Sequence, residues 1–155
     1  MSSLKKIFDA FDKLPTYNIE IGVISDDSKR KETVSVGVTN AELMFIHENG
    51  SPLHHIPARP VLKMTIEWAN KELLKPTIDR AIKAFLDSHF NQDALEKELN
   101  KMCVRMENYA RDLIYSNDGR LAPNAPSTIA AKGFNHPLFK TSQLARSITC
   151  QLVKK

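Results

Sequence analysis

Six apolar residues, Leu95, Leu99, Met102, Met106, Tyr109 and Leu113, recur at 4-3-4-3-4 spacing. That seam constrains the fold more than any other stretch. It predicts one long helix, from just after HFNQD to about Tyr115, whose apolar side must be covered by the preceding helix or by a sheet. The methionines in the stripe read as core filling rather than as a cofactor pocket, because unbranched thioethers suit irregular gaps.

Other elements follow from simpler periodicities. Leu4, Ile7, Phe8, Phe11 and Leu14 have the spacing of an amphipathic helix that Pro15 stops. Tyr17, Ile19, Ile21 and Val23 alternate with their neighbours as in a strand with one buried face. Beyond the polar loop DDSKRKE, Val34, Val36 and Val38 alternate again, which predicts an antiparallel hairpin. Asn40 is placed to cap a short helix, NAELMFIHE, closed by Asn49-Gly50. Pro60 suits the first turn of a helix spanning 61–90, with a kink or break at Pro76. After the long helix come SNDGRLAPNAP, a short turn STIAAK capped by Ser127 and stopped by Gly133, and a last strand SITCQLV. The expected fold is α+β: a single domain over residues 1–155, with a three-stranded antiparallel sheet (the hairpin plus the C-terminal strand) covered by long helices. A proline-rich loop excursion occupies 117–140.

The chemistry that the sequence can support is narrow. Cys103 and Cys150 are too few for a disulfide scaffold or a cysteine zinc site, and both fall on apolar periodicities as buried free thiols. The histidines His47, His54, His55, His89 and His136 show no i, i+4 pair: the residue four on from His47 is Ser51. His54 and His55 would point apart in an extended segment. There is no G-x-S-x-G elbow, P-loop or G-x-G-x-x-G turn, and Glu42 and Glu48 lie six apart, facing different directions as solvated carboxylates. No enzyme, cofactor or metal is expected. No apolar run is long enough to span a bilayer, and Asp9 and Asp12 interrupt what would be a signal peptide, so the chain is expected in the cytoplasm and at no membrane.

Charge is uneven. Residues 1–118 hold 16 Lys and Arg against 18 Asp and Glu, whereas 119–155 hold six basic residues and no acid. A basic last quarter can meet an acidic protein surface or nucleic acid. One alternative for the whole chain is therefore a small nucleic-acid-associated module using that quarter. Against it, no basic stretch is interleaved with aromatics, and Lys29-Arg30-Lys31 is flanked by Asp26, Asp27 and Glu32.

A stiff cassette remains, IHENGSPLHHIPARPVL. Pro52, Pro57 and Pro60 fix three φ angles within nine residues, so this strap loses little entropy when held rigid. Arg59 carries a planar fork that can grip a carboxylate or carbonyls across a subunit boundary. The strap suits contact with protein better than catalysis.

The stretch AELMFIHENGSPLHHIPARPVLKMTIE resembles the E-x-G … IPARPFL signature of the tail-completion proteins of long-tailed bacteriophages, also called neck or head–tail joining proteins. LAPNAPSTIAAKGFNHPLFKTSQLARSIT is similar to the same family's L-x-P-N-x-x-x-T … K-G … P-L-x-x-T-G-x-L-x-x-S-I region. The two lie in the expected order over about half of the chain. The family pattern has glycine where Ser142 stands. The resemblance implies a non-enzymatic structural protein, made in the bacterial cytoplasm and located at the virion neck or tail end. It would form a ring with copies of itself, commonly a hexamer, touching head-connector proteins and the tail tube or tail terminator protein, with possible passing contact with genomic DNA. Carried over by position, His47, Glu48, Gly50, Ile56, Pro57, Ala58, Arg59 and Pro60, with Thr141 and Leu144 from the second stretch, would pack and make the contacts between subunits.

Overall fold

In a computed structural model the chain is described over residues 3–23, 37–140 and 142–155. Its elements are α1 (Ser3–Phe11), β1 (Tyr17–Gly22), α2 (Asn40–Asn49), a 3₁₀ turn (Pro52–His54), α3 (Val61–Trp68), a π turn (Ala69–Leu73), α4 (Leu74–Asp87), α5 (Gln92–Tyr115), α6 (Pro126–Lys132), α7 (Gln143–Ser147) and β2 (Thr149–Lys154). Helix predominates.

The predicted seam is the spine. Asn91 caps α5 by accepting from the Asp93 amide at 2.9 Å, and the helix then threads three apolar clusters. Leu95 meets Ala81 and Phe85 of α4. Met102 and Met106 meet Ala69 and Leu73 of the π turn. Ala110, Leu113 and Ile114 pack with Met44 of α2, Val61 of α3, Leu121, Leu144, Ala145 and Ile148. Both expected covers are realised, since α4 lies along one side of α5 and the sheet along another. Beside the seam, Trp68 of α3 stacks on Tyr109 with ring centroids 4.0 Å apart.

The sheet corrects the sequence reading. Among the described residues it has two strands, not three: β1 pairs antiparallel with β2, in register from Tyr17 opposite Lys154 to Gly22 opposite Thr149. The expected hairpin partner is not in this sheet. Val34 and Val36 lie outside the described residues, and Gly37, Val38 and Thr39 are irregular. The physical reason is visible at Thr39. Its hydroxyl accepts from the Glu42 amide at 3.2 Å while its own amide donates to Glu42 Oε2 at 2.8 Å, a reciprocal capping box. This turns the chain into α2 where the alternation suggested more strand. Thr39, not Asn40, is therefore the cap, and Asn40 is buried.

Pro76 does not break its helix. A proline in a helix lacks an N–H and crowds the carbonyl four residues back. That carbonyl belongs to Glu72, inside the π turn, where the wider winding makes room. At the other end, Pro126 rather than Ser127 opens α6, and Gly133 closes it in the left-handed region at φ 81°.

Side chains of α5 bind the ends of the ribbon. Glu96 Oε1 accepts from the Tyr17 phenol at 2.9 Å and from Lys154 Nζ at 2.8 Å, joining residues that face each other across the two strands. Glu107 Oε1 accepts from the Cys150 amide at 2.8 Å, and Arg111 donates to the Ile148 carbonyl at 2.8 Å. Lys154 holds the Glu96 carboxyl below its ordinary range. Burial, together with the bond to Glu96 and its charge, pushes the Tyr17 phenol up to about 12. A folded phenol that keeps its proton beyond the ordinary 10.0 stabilises the fold fully below that pH and loses the contribution as pH rises towards 12. Tyr17→Phe should cost about 1 kcal/mol at neutral pH and flatten the loss of stability above about pH 10, measured as urea midpoints across an alkaline series.

Candidate functional site

The proline-punctuated strap is short, and its shape is set by closures at both ends. Ser51 and Ile56 form an isolated antiparallel bridge, with amide-to-carbonyl distances of 2.8 and 2.9 Å. Between them Pro52–His54 make the 3₁₀ turn and His55 sits in the left-handed region at φ 53°, ψ 34°. The strap is thus a tight loop, not the extended segment in which His54 and His55 were expected to point apart. Gly50 permits this closure. Its φ is 73°, and a Cβ there would lie 2.9 Å from the Ala58 amide nitrogen and 3.0 Å from the Ile56 carbonyl oxygen, both backbone atoms.

The far end of the strap is locked by Arg59, which points inward. It is 4% exposed. Nε donates to the Ala122 carbonyl and an Nη to the Pro123 carbonyl, each at 2.7 Å, while the other Nη lies 3.1 Å from His47 Nδ1. Because the guanidinium only donates, His47 must accept through Nδ1. The Arg59 amide donates to the His47 carbonyl at 2.6 Å. The fork does grip carbonyls, as its shape suggested, but they belong to the same chain. Burial lowers the Arg59 pKa from its ordinary value; a guanidinium nevertheless stays charged, so its site must supply acceptors.

Glu48 completes the unit. At the start of α3, Pro60 has no amide hydrogen and the Val61 amide bonds the Arg59 carbonyl at 2.8 Å. The next two amides are taken by the Glu48 carboxylate, Leu62 to Oε2 at 3.0 Å and Lys63 to Oε1 at 2.7 Å. A carboxylate on the first turn satisfies orphan donors and meets the positive end of the helix dipole. Spacing gave no sign of this role: Glu48 and Leu62 are fourteen residues apart.

The residues singled out from the sequence therefore divide. Arg59 and Leu144 are buried in this chain; His47, Glu48, Gly50, Ile56 and Pro60 are half-buried; Pro57 and Ala58 are exposed. Thr141 lies outside the described residues. His47, Glu48, Gly50, Ile56, Arg59 and Pro60 come together in the strap with Ala122 and Pro123, while Leu144 packs in the core cluster beneath α2. The outward surface includes residues that the motif comparison did not single out: Leu53 at 84% exposure, Phe45 at 70%, and His54 and His55. Among the described residues no group of three His, Cys, Asp or Glu side chains could hold a metal ion.

Ser142 holds φ 62° and ψ 4° at the start of α7. That left-handed conformation costs an L-residue about 1 kcal/mol and glycine almost nothing.

Two stability predictions follow from this geometry. Arg59→Lys keeps the charge but offers a point instead of a fork, stranding at least one of the Ala122 and Pro123 carbonyls. It should lower unfolding free energy by about 2 kcal/mol, read from denaturant titration. Ser142→Gly should raise it by about 0.5 kcal/mol, the strain relief exceeding the entropy added to the unfolded chain. The chain matches no protein-family model, no curated protein and no solved structure.

Proposed function

We propose that this chain is a structural virion protein that completes the tail, or joins the tail to the head connector, as one subunit of a ring at the neck. The observation that carries the reading is the Arg59 clasp. The two stretches that resemble the tail-completion family are far apart in sequence, yet Arg59 of the first binds the carbonyls of Ala122 and Pro123 in the second. Residues matching the two patterns form one physical unit, as expected if the patterns describe a single working part. The left-handed Ser142, at the family's glycine position, adds support.

In this reading the buried members of the motif act by shaping a surface, and the exposed members touch the neighbour. Pro57 and Ala58 of the motif, with Leu53 beside them, project from a loop that the Ser51–Ile56 bridge and the Arg59 clasp already hold in place. A surface ordered before contact loses little freedom on docking. Repetition of one head-to-tail contact closes a ring when the rotation per subunit divides a full turn. Subunit copies, the head connector, and the tail tube or terminator are the partners this requires, with DNA passing nearby.

The nucleic-acid alternative has less support. Arg120 is held by Asp112 at 2.9 Å and Asp118 at 2.7 Å, and Lys154 by Glu96 at 2.8 Å. The Lys132 amine donates to the carbonyls of His136 and Phe139. Arg120, Lys132 and Lys154 of the last quarter are thus engaged within the chain, which reduces what is offered to phosphates.

Leu53→Asp tests the proposal without disturbing the core, since the side chain is 84% exposed. The variant should fold with an unchanged circular dichroism spectrum. In the particle that encodes the chain, separate heads and tails should accumulate at the expense of joined particles, counted by electron microscopy of fractionated lysates. Joined particles at the wild-type yield overturn the assignment of this surface.

A further inference from the structure

On the outer flank of α4, Leu74, Ile78, Ile82 and Leu86 are each 37% to 41% exposed. Spaced four apart, they form one ridge. The ridge borders an open groove of about 320 Å³ into which Ile19, Leu99 and Leu152 also face. A monomer leaves this much contiguous apolar surface open to water at a cost, and such patches mark contact sites.

The next row round the helix carries Lys75, Asp79, Lys83 and Asp87, whose signs alternate along the axis. Within the helix they pair as Lys75–Asp79 at 2.7 Å and Lys83–Asp87 at 3.3 Å, all well exposed. In both pairs the lysine lies N-terminal to the acid, the less favourable order against the helix dipole. The pairs add little to α4 by themselves.

We propose that this face binds a second copy of the chain, α4 against α4, antiparallel about a twofold axis. The charge row decides the occupant. Reversing plus-minus-plus-minus gives minus-plus-minus-plus, so an antiparallel approach sets opposite charges together along the whole row, whereas a parallel approach in register sets like on like. Antiparallel packing also brings the same flank of each helix against itself. Centring the ridge on its own midpoint places Leu74 opposite Leu86 of the second copy and Ile78 opposite Ile82. Lys75 then stands about 3 Å along the axis from Asp87 of the second copy, within side-chain reach. This twofold contact uses a different surface from the strap and does not rest on the neck assignment.

Sedimentation equilibrium of the full chain at low ionic strength tests the proposal, because exposed ion pairs are screened by salt. The wild type should form reversible dimers below about 100 µM, as a modest helix-to-helix interface allows. Asp79→Lys with Asp87→Lys makes the row all positive; Lys75→Glu with Lys83→Glu makes it all negative. Each double variant alone should weaken dimerisation about tenfold or more. An equimolar mixture should restore it, and so should the fourfold variant that exchanges every sign. Circular dichroism checks that helix content is unchanged. A wild type that stays monomeric overturns the proposal, as does an oligomer indifferent to these charges, a mixture that fails to rescue, or a ridge that takes only a different protein.

Discussion

A buried guanidinium cannot be left without acceptors, and much of the surface geometry here follows from that requirement. Arg59 has little access to water, so its donors must be met by groups that the chain brings to it. Two are carbonyls of Ala122 and Pro123; the third contact is His47 Nδ1. Meeting them fixes three things at once: the entry of the proline-rich segment, the end of α2, and the path of the strap. With the strap held there, Pro60 and Val61 start α3 at a point where Glu48 can reach the Leu62 and Lys63 amides. Gly50 then has to pass against the backbone of Ile56 and Ala58 too closely for any side chain. Each of these residues has a reason that lies in its neighbour. The motif is best understood as a mutually dependent set rather than as a row of separate contact points.

What stands behind the strap is α5, which contributes to each of the three apolar clusters among the described residues. Its labour is divided. Apolar residues hold α3, α4 and α7, while Glu96, Glu107 and Arg111 hold the two-stranded ribbon by charge-assisted bonds to strand ends and backbone. A ribbon of two strands is marginal by itself. Anchoring both of its ends to a rigid helix gives it the support that further strands would otherwise supply.

This division explains which parts of the fold were legible in the sequence. Periodicity is a record of burial, so α1, α5, β1 and β2 could be read from alternating or helical apolar spacing. Local stereochemistry likewise placed the stop at Gly133 and the helix start after Pro60. The third strand was misread because alternation over 33–39 says that a segment can be extended, not what it pairs with; at Thr39 a capping box, two hydrogen bonds to one glutamate, took the chain elsewhere. Arg59 was read as reaching across a subunit boundary because its planar fork suits carboxylates and carbonyls. Its partners lie 63 and 64 residues away, and hydrogen bonds to backbone carbonyls leave no trace in residue type. Glu48 was set aside as a solvated carboxylate for the same reason. The identity of a cap depends on what folds back to it.

The course from α3 to α4 joins these themes. Val61, Thr65, Ala69, Leu73, Thr77, Ala81 and Phe85 are all buried, at a strict interval of four. An α-helix turns through about 40° more than a full circle in four residues, so a four-residue repeat drifts steadily round its surface. Held for 25 residues, that drift would carry the buried row away from α5. The π turn at Ala69–Leu73 lies in the middle of the row, and its wider winding takes back part of the drift. The same turn loosens the backbone where Pro76 crowds Glu72, so one irregularity answers two strains. It also fixes which flank of α4 faces outward: with Thr77, Ala81 and Phe85 turned to the core, Leu74, Ile78, Ile82 and Leu86 necessarily follow at the edge. Their partial exposure comes from how α4 covers α5. The alternation of charge beside them does not, since any solvated residue would serve that row equally well within a single chain.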